Sequence, residues 1–415
     1  MPDRLRVAAI ITIYHPKSHA DVIVTKFLKG MSTDEGFLPP EVDVVSIYLD
    51  HVLENDIGVG LAEAHGVPIY PSIRRALYCG AGKELGVDAV LLVGEHGDYP
   101  WNERERHMYP RRFFFEQIAG VFGECGRSVP VFNDKHFSYD FADARWMWDR
   151  AAEMEIPLMA GSSLPLSWRQ PWVEYAKGVE LETALSIGYG GIEAYGYHAL
   201  ETLQCMVERR RGGESGVVSV QCLEGDEVWR SRERGQWPGE LAEAAVDAIR
   251  DKPEGRMEDL CQEPAVFLVE RADGLKTSTL MLNGYVKDFA YAGKLAAPAK
   301  NADPRCGQGG DQGDIPVVHG VEFYLQNEGP FAHFSYLCRN VQRFFQTGTA
   351  PYSPARTLLT TGVTDAMMNS RYEGHRVVDT PYLDIAYESY GEPPFRPTGQ
   401  RPTGASVDPA APDCI

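Results

Sequence analysis

From Arg6 to about Gly161 the chain alternates short apolar runs with amphipathic stretches. Arg6–Ile13 holds an unbroken apolar run from Val7 to Ile11, with no alternating polar face, which predicts a strand buried on both sides of a parallel sheet. His19–Lys29 follows, with Val22, Ile23, Phe27 and Leu28 favouring one helical face. Ser18 can cap its start and Gly30 its end. Strand signals recur at Val42–Asp50, at 67–70, at Val87–Gly94, at Val129–Asp134 and in IPLMAG (156–161). Helices are predicted over Asn55–His65, Arg111–Cys125 and Phe141–Met154, with another leading into Val87. Successive βαβ units cross over right-handedly, so the expected fold is an α/β, doubly wound parallel sheet of Rossmann type.

After about Gly161 the rhythm changes. A helix over about Ile192–Arg210 carries His198. Four strand-like segments follow, GVVSVQCL, PAVFLVERADG, KTSTLMLNGYV and KDFAYAGKLA, joined by turn signals such as Ala272-Asp273-Gly274. They predict a mainly antiparallel sheet in an α+β domain, completed by helices over Phe334–Gly348 and Pro354–Asn369. A chain of 415 residues exceeds what one core usually serves. The division expected is a first domain over 1–165, a second over 166–390 and a tail over 391–415. The tail, rich in Pro and Gly from Glu392, is expected to be disordered. Ala296–Gly320 reads as a Gly/Pro/Asp-rich loop.

Hydrophobic residues make up 44% of the chain and charged ones 24%, ordinary for a protein with sizeable cores. A net charge of −19 argues against nucleic acid and anionic membrane as partners. The eight cysteines are scattered and none forms a C-x-x-C pair, so reduced thiols are expected. The apolar start breaks at Tyr14 and His15, too soon for a signal peptide, and no run approaches the ~20 residues of a membrane span. A cytoplasmic protein is the expectation.

Several segments carry a family resemblance. They are LAEAHGVPIYPSIRRAL, VDAVLLVGEHG, VPVFNDKH, GYHALE and FFQTGTAPYSPARTLLTTGVTDAMMNSRYEGHRV, in that order. The chain resembles the Gfo/Idh/MocA family of glucose–fructose oxidoreductase and inositol dehydrogenase from about Arg6 to Tyr387. VPVFNDKH stands where that family has Glu-Lys-Pro, and GYHALE where it has Gly-x-His-x-x-Asp. The resemblance implies an open-faced second sheet, dimers or tetramers built through it, and NAD or NADP as cofactor. It also implies that Lys135 touches cofactor and substrate hydroxyl, with His198 as its acid/base partner across the cleft. The family's Asp four residues before that histidine is Ala194 here. Its glycine-rich turn is replaced by ITIYHPKSHA, where Thr12, Tyr14 and Lys17 or Ser18 fill the space that glycines leave for a pyrophosphate.

The residues themselves point to the same region. Lys135 lies just past a strand's carboxyl end, where open α/β sheets hold ligands, and a lysine there can donate to an oxyanion or relay a proton. Both Lys135 and His198 are expected at the cleft surface. Asp134 and His136 flank Lys135 and join the catalytic candidates, although a turn role would also suit Asp134. Glu95–Arg112 is too polar and aromatic for a mere connection; Glu95, His96, Tyr99 and Arg111 are candidate substrate ligands. Trp168 and Arg169, at the domain junction, could stack on a sugar and clamp an anion, or simply pack. Thr12, Tyr14, Ser18, His19 and Asp50 are the cofactor-side candidates, Asp50 at a strand end suited to ribose hydroxyls. No spacing is a metal signature; an N/O metal site from Asp134, His136, His198 and the Glu95 loop is the lesser expectation.

Two functions follow. One is an oxidoreductase acting on a polyhydroxylated, sugar-like small molecule with Lys135 and His198 as proton relay. The alternative is a lyase, hydrolase or isomerase on the same fold, with or without a metal and without free nicotinamide.

Overall fold

The computed structural model describes residues 4–302, 314–391, 393–397 and 399–403. The first half contains β1 (Arg6–Ile11), α1 (His19–Lys29), a hairpin of β2 (Met31–Thr33) and β3 (Gly36–Leu38), and β4 (Asp43–Leu49). It continues through α2 (Gly58–Ala64), α3 (Ile73–Tyr78), β5 (Ala89–Val93), α4 (Arg111–Cys125), β6 (Val131–Asp134), α5 (Phe141–Glu153) and β7 (Leu158–Gly161). Five parallel strands lie in the order β4-β1-β5-β6-β7. Val7, Ala9 and Ile11 face one side with α1, while Ala8 and Ile10 face the other with α3, α4 and α5. Burial on both faces is why these strands read as unbroken apolar runs. The run at 67–70 makes only a bridge between Ile69 and Ile47 rather than a strand.

The second half supplies β8 (Trp168–Gln170), β9 (Leu181–Gly188), α6 (Ala194–Val207), β10 (Glu214–Ser215) and β11 (Val217–Glu224). The short helices α7 (Asp226–Glu233), α8 (Gly239–Ala248) and α9 (Met257–Leu260) come next. Then follow β12 (Glu263–Arg271), β13 (Lys276–Asn283), β14 (Phe289–Leu295), β15 (Val318–Tyr324), α10 (Ala332–Thr347), α11 (Ala355–Tyr372), β16 (Val378–Asp379) and β17 (Ala386–Tyr387). Eight strands form one sheet in the order β16-β11-β12-β13-β9-β14-β15-β8, antiparallel except where β13 meets β9. Helices α6 and α11 cover one face. On the other, Leu241, Ala245 and Val246 of α8 join Val228 and Met257 against Leu185, Ile187, Val266 and Leu280. Helix α10 returns to the first domain, where Leu337, Val341 and Phe344 share a core with Ile23 and Phe27 of α1.

The tail departs from expectation. Of its residues, 391, 393–397 and 399–403 are described, and several dock rather than hang free. Asn340 donates to the Phe395 carbonyl at 2.7 Å, and Arg396 and Arg401 each reach a buried carboxylate, Glu174 and Glu322, at 2.6 Å. Composition measures how little apolar surface a segment can bury, but not the charged holes a body leaves for its arginines. Of the Ala296–Gly320 loop, 303–313 lie outside the described residues, as do 404–415 of the tail. No helix among the described residues is long and apolar enough to cross a membrane, and the six described cysteines are free thiols.

Candidate active site

Strand β1 lies between β4 and β5, so the connections leaving β1 and β5 part in opposite directions. That reversal opens a crevice at the carboxyl ends of the strands, the usual ligand position in such sheets. Three loops meet there. Thr12, just past β1, is buried and donates from Oγ1 to the Glu95 carbonyl at 2.6 Å, tying the first loop to the second. The third loop follows β6. Lys135 begins it with φ of 60°, and its N–H donates to the Gly161 carbonyl at 3.2 Å.

Glu95 sits at the centre. Its Oε1 accepts from Lys135 Nζ at 3.0 Å and its Oε2 from the Arg111 guanidinium, which also reaches His136 Nε2 at 3.1 Å. None of these four residues is more than 4% exposed. Lys135 is therefore not the surface group expected: its ammonium is drawn into the floor of the cleft by a buried carboxylate. Burial works against the charge on Glu95, but Lys135 and Arg111 outweigh it and hold the carboxyl well below its usual range. Asp134 turns to His19, whose Nδ1 lies 2.6 Å from Oδ2. The His19 ring is 5.4 Å from that of His96, which is 5.8 Å from that of His15.

The second domain contributes His198, half-buried on α6. Burial, then the charges of Lys135 and His19, push its pKa well down, and burial and Arg111 do the same to His136. Burial brings His96 down to about 3. The cleft thus holds neutral imidazoles beside a fixed ammonium. His198 Nδ1 and His136 Nδ1 have no hydrogen-bond partner among the described residues. A neutral imidazole nitrogen that is unpartnered can take or give a proton to a bound ligand.

Other candidates are employed elsewhere. Tyr14 turns beneath α1 into the core, 1% exposed, with its hydroxyl 2.7 Å from Thr25 Oγ1, and so does not fill the turn. Ser18 caps α1 by accepting from the Asp21 N–H, while Asp21 Oδ2 accepts from the Lys17 N–H at 2.8 Å. Asp50 already takes the hydroxyls of Tyr48 and, at 2.6 Å, Tyr99. Trp168 is fully buried against Tyr324 and Tyr336 and donates to Asp34 at 3.0 Å. Arg169 pairs with Glu174 at 2.6 Å and lies over Phe323. These last two are junction packing and do not join Lys135. Among the described residues no group of three His, Cys, Asp or Glu side chains is arranged to hold a metal ion.

No protein-family model matches the chain, and no curated protein matches it in sequence. Solved structures do match in shape. An oxidoreductase from Agrobacterium radiobacter, with NAD+, L-tartaric acid and magnesium, is 13% identical at a TM-score of 0.54, over 92% of this chain and 100% of its own. GenD2 of gentamicin A biosynthesis, with NAD, is 14% identical at 0.53, over 91% and 97%. The scyllo-inositol dehydrogenase of Lactobacillus casei, with NAD(H) and scyllo-inositol, is 10% identical at 0.52, over 91% and 99%. The chain has the fold of these oxidoreductases. An inositol dehydrogenase stands among them, as the sequence resemblance implied.

Sequence reasoning missed the groups that brace the fold around the cleft. Arg106, 1% exposed, ties the Glu95–Arg111 loop to α11 through Asp365 and Asn369 and to the Tyr139 carbonyl. Glu201, buried on α6, accepts from the Ser162 N–H at 3.1 Å. Glu193, just before α6, accepts from the His107 N–H at 3.0 Å. No local pattern marks these partners, because each lies far along the chain.

Burial raises the Glu193 carboxyl to about 7. A carboxyl whose folded pKa lies above its unfolded value, 4.5, favours folding below that value and loses the advantage as pH rises to about 7. Glu193→Gln keeps an acceptor for His107 and removes the titration. Relative to the variant, the wild type is expected to lose stability between pH 5 and 8, by up to about 3 kcal/mol at about 1.4 kcal/mol per pK unit. Urea unfolding across that range is the check. Parallel curves for the two proteins would mean that the carboxyl is solvated.

Proposed function

We propose that the chain is an enzyme that moves protons at a hydroxyl-bearing carbon of a polyhydroxylated, sugar-like small molecule held in the cleft between its two halves. One observation carries this reading: the buried Lys135–Glu95–Arg111 ion-pair chain at the sheet's switch point, beside the neutral and unpartnered imidazole of His198. His198 would accept the proton of a substrate hydroxyl, and the Lys135 ammonium would stabilise the alkoxide left behind. Glu95 orients the lysine, while Lys135 and Arg111 keep Glu95 ionised. The inositol and tartaric acid bound by neighbours of the same fold support this substrate class.

NAD or NADP is the cofactor the fold implies, and the residues here do not fit its usual pose. The first turn of α1 already has the Asp21 carboxylate bound to a backbone N–H, where a pyrophosphate would seek such donors. The Asp50 carboxylate is already engaged by two tyrosine hydroxyls where ribose hydroxyls would seek it. The reaction favoured is therefore non-redox, that of a lyase, hydrolase or isomerase working by proton transfer. A nicotinamide-dependent oxidoreductase using the same relay is the second reading, favoured by near-complete overlap with NAD-bound structures. A dimer or tetramer formed through the second sheet would have to use α7–α9, which cover its outer face.

Titration calorimetry with NAD and NADP separates the two readings. The expected dissociation constants are weaker than roughly 1 mM, equivalent to about 4 kcal/mol of binding. A low-micromolar complex with either dinucleotide would hand the site to the oxidoreductase reading.

A further inference from the structure

A cavity of about 820 Å³ opens beside the cleft, between the Glu95–Arg111 loop and the lead-in to α6. Its lining includes Trp101, Gly190, Glu193, Gln262, Asn283 and Arg371. Trp101 is 61% exposed yet firmly mounted. Its indole stacks on the His107 ring, with centroids 4.3 Å apart and planes 19° apart. His107 is held in turn by its own N–H on Glu193 and by Nε2 against the Tyr99 carbonyl at 2.9 Å. One indole face is thus backed, and the side chain lines the cavity with the rest of its surface. A large aromatic side chain held open to solvent in a fixed pose suits a ligand with an apolar face.

Polar groups also line the cavity. Asn283 is fixed on both backbone groups of Gly190, and Arg371 stands between Glu105 and Glu224. Beyond these bonds the Asn283 amide keeps a second N–H, the Arg371 guanidinium further N–H groups and the carboxylates free lone pairs; around one aromatic plate these match a sugar ring, which offers a C–H face to stack and hydroxyls to bond. The volume falls within the range usual for small-molecule sites. The cavity also lies close to the chemistry. Gly190–Ala194 form part of its wall, and His198 follows Ala194 by about one helical turn, roughly 6 Å. The Glu193 carboxyl feels the charges of Arg111 and Glu95 from the first site.

We propose that this cavity is a second sugar-ring subsite, so that the substrate is a glycoside or disaccharide whose reacting ring lies at Lys135 and whose second ring stacks on Trp101. This inference rests on the polyhydroxylated-substrate reading above.

Calorimetry on the full chain with glucose, myo-inositol, maltose, cellobiose and sucrose tests it, using the wild type, Trp101→Ala and Trp101→Phe. At least one disaccharide is expected to bind about ten-fold or more tightly than the single-ring ligands. Trp101→Ala should remove that advantage while leaving the single-ring affinity in place, and Trp101→Phe should keep most of it. Disaccharides that gain nothing over single rings would overturn the subsite, as would an equal loss for both classes in Trp101→Ala. Absence of binding by every sugar, single or double, would instead remove the substrate reading and the subsite with it. Because Trp101 is 61% exposed, both variants are expected to keep the wild-type circular dichroism and thermal unfolding midpoint, so a loss of binding is not a loss of fold.

Discussion

Glu95→Ala is expected to destabilise the fold by about 3–5 kcal/mol, the cost typical of breaking a buried ion pair from one side. The carboxylate is the shared counter-charge of Lys135 and Arg111, and all three side chains are almost completely buried. Its removal leaves two cations facing each other across a dry site. Both start from buried positions, Arg111 0% and Lys135 4% exposed, so neither cation gains full solvation without moving its neighbours. The wild type should also show the matching acid sensitivity. A carboxyl held below its unfolded pKa contributes stability above that value and loses it as pH falls through the folded pKa. Glu95→Gln, which keeps the shape, should therefore lie furthest below the wild type at neutral pH, with the gap closing in acid. Urea titrations at pH 7 and stepwise below pH 4 measure both effects. A loss under about 1 kcal/mol at pH 7 would mean that water reaches the cluster and that the cleft floor is open.

What the sequence disclosed was local. Strand β1 and helix α4 could be drawn from apolar runs and helical periodicity alone, and α4 spans the predicted Arg111–Cys125. The positions of Lys135 just past a strand and of His198 on a helix were legible because a strand end and a helix are properties of neighbouring residues. Tyr14 was not. Whether a tyrosine in a turn faces a cofactor or the core depends on the room beneath α1, set by Thr25 and by Gly58, where a Cβ would meet the ring at 2.6 Å. For Arg169 the sequence left clamp and packing both open, for a similar reason. Glu174, its partner, also receives Arg396 from the tail, so one carboxylate joins segments that no window of sequence spans. Asp50 shows the same limit: its position at a strand end was readable, but the two tyrosine hydroxyls that engage it were not. Trp101 belonged to a loop recognised as too polar and aromatic for a simple connection. Only the stacked His107 and the cavity before it distinguish it from its neighbours.

Lys135→Met separates chemistry from scaffolding, and it is expected to reduce turnover of whichever sugar binds by about 10²–10⁴-fold, the range for losing a positioned proton-transfer or oxyanion group. The methionine stem fills most of the lysine's volume, and Glu95 keeps Arg111 as its counter-charge. The folding cost should therefore stay near 1–2 kcal/mol, about what an ordinary substitution costs and well short of the Glu95 loss. The two variants form a contrast: one leaves cations without an anion, the other leaves a neutral pair. A third readout reports on the relay itself. Lys135 is the largest charge acting to depress His198, after burial. With the ammonium gone, the His198 pKa should move upward toward the ordinary imidazole range while burial still holds it below. Imidazole resonances followed by NMR across pH 4–8 would show that movement. A merely structural lysine predicts none of this combination. Turnover within about tenfold of wild type, or a His198 titration that does not move, would place the proton transfer on other groups and return Lys135 to the role of a buried brace for Glu95.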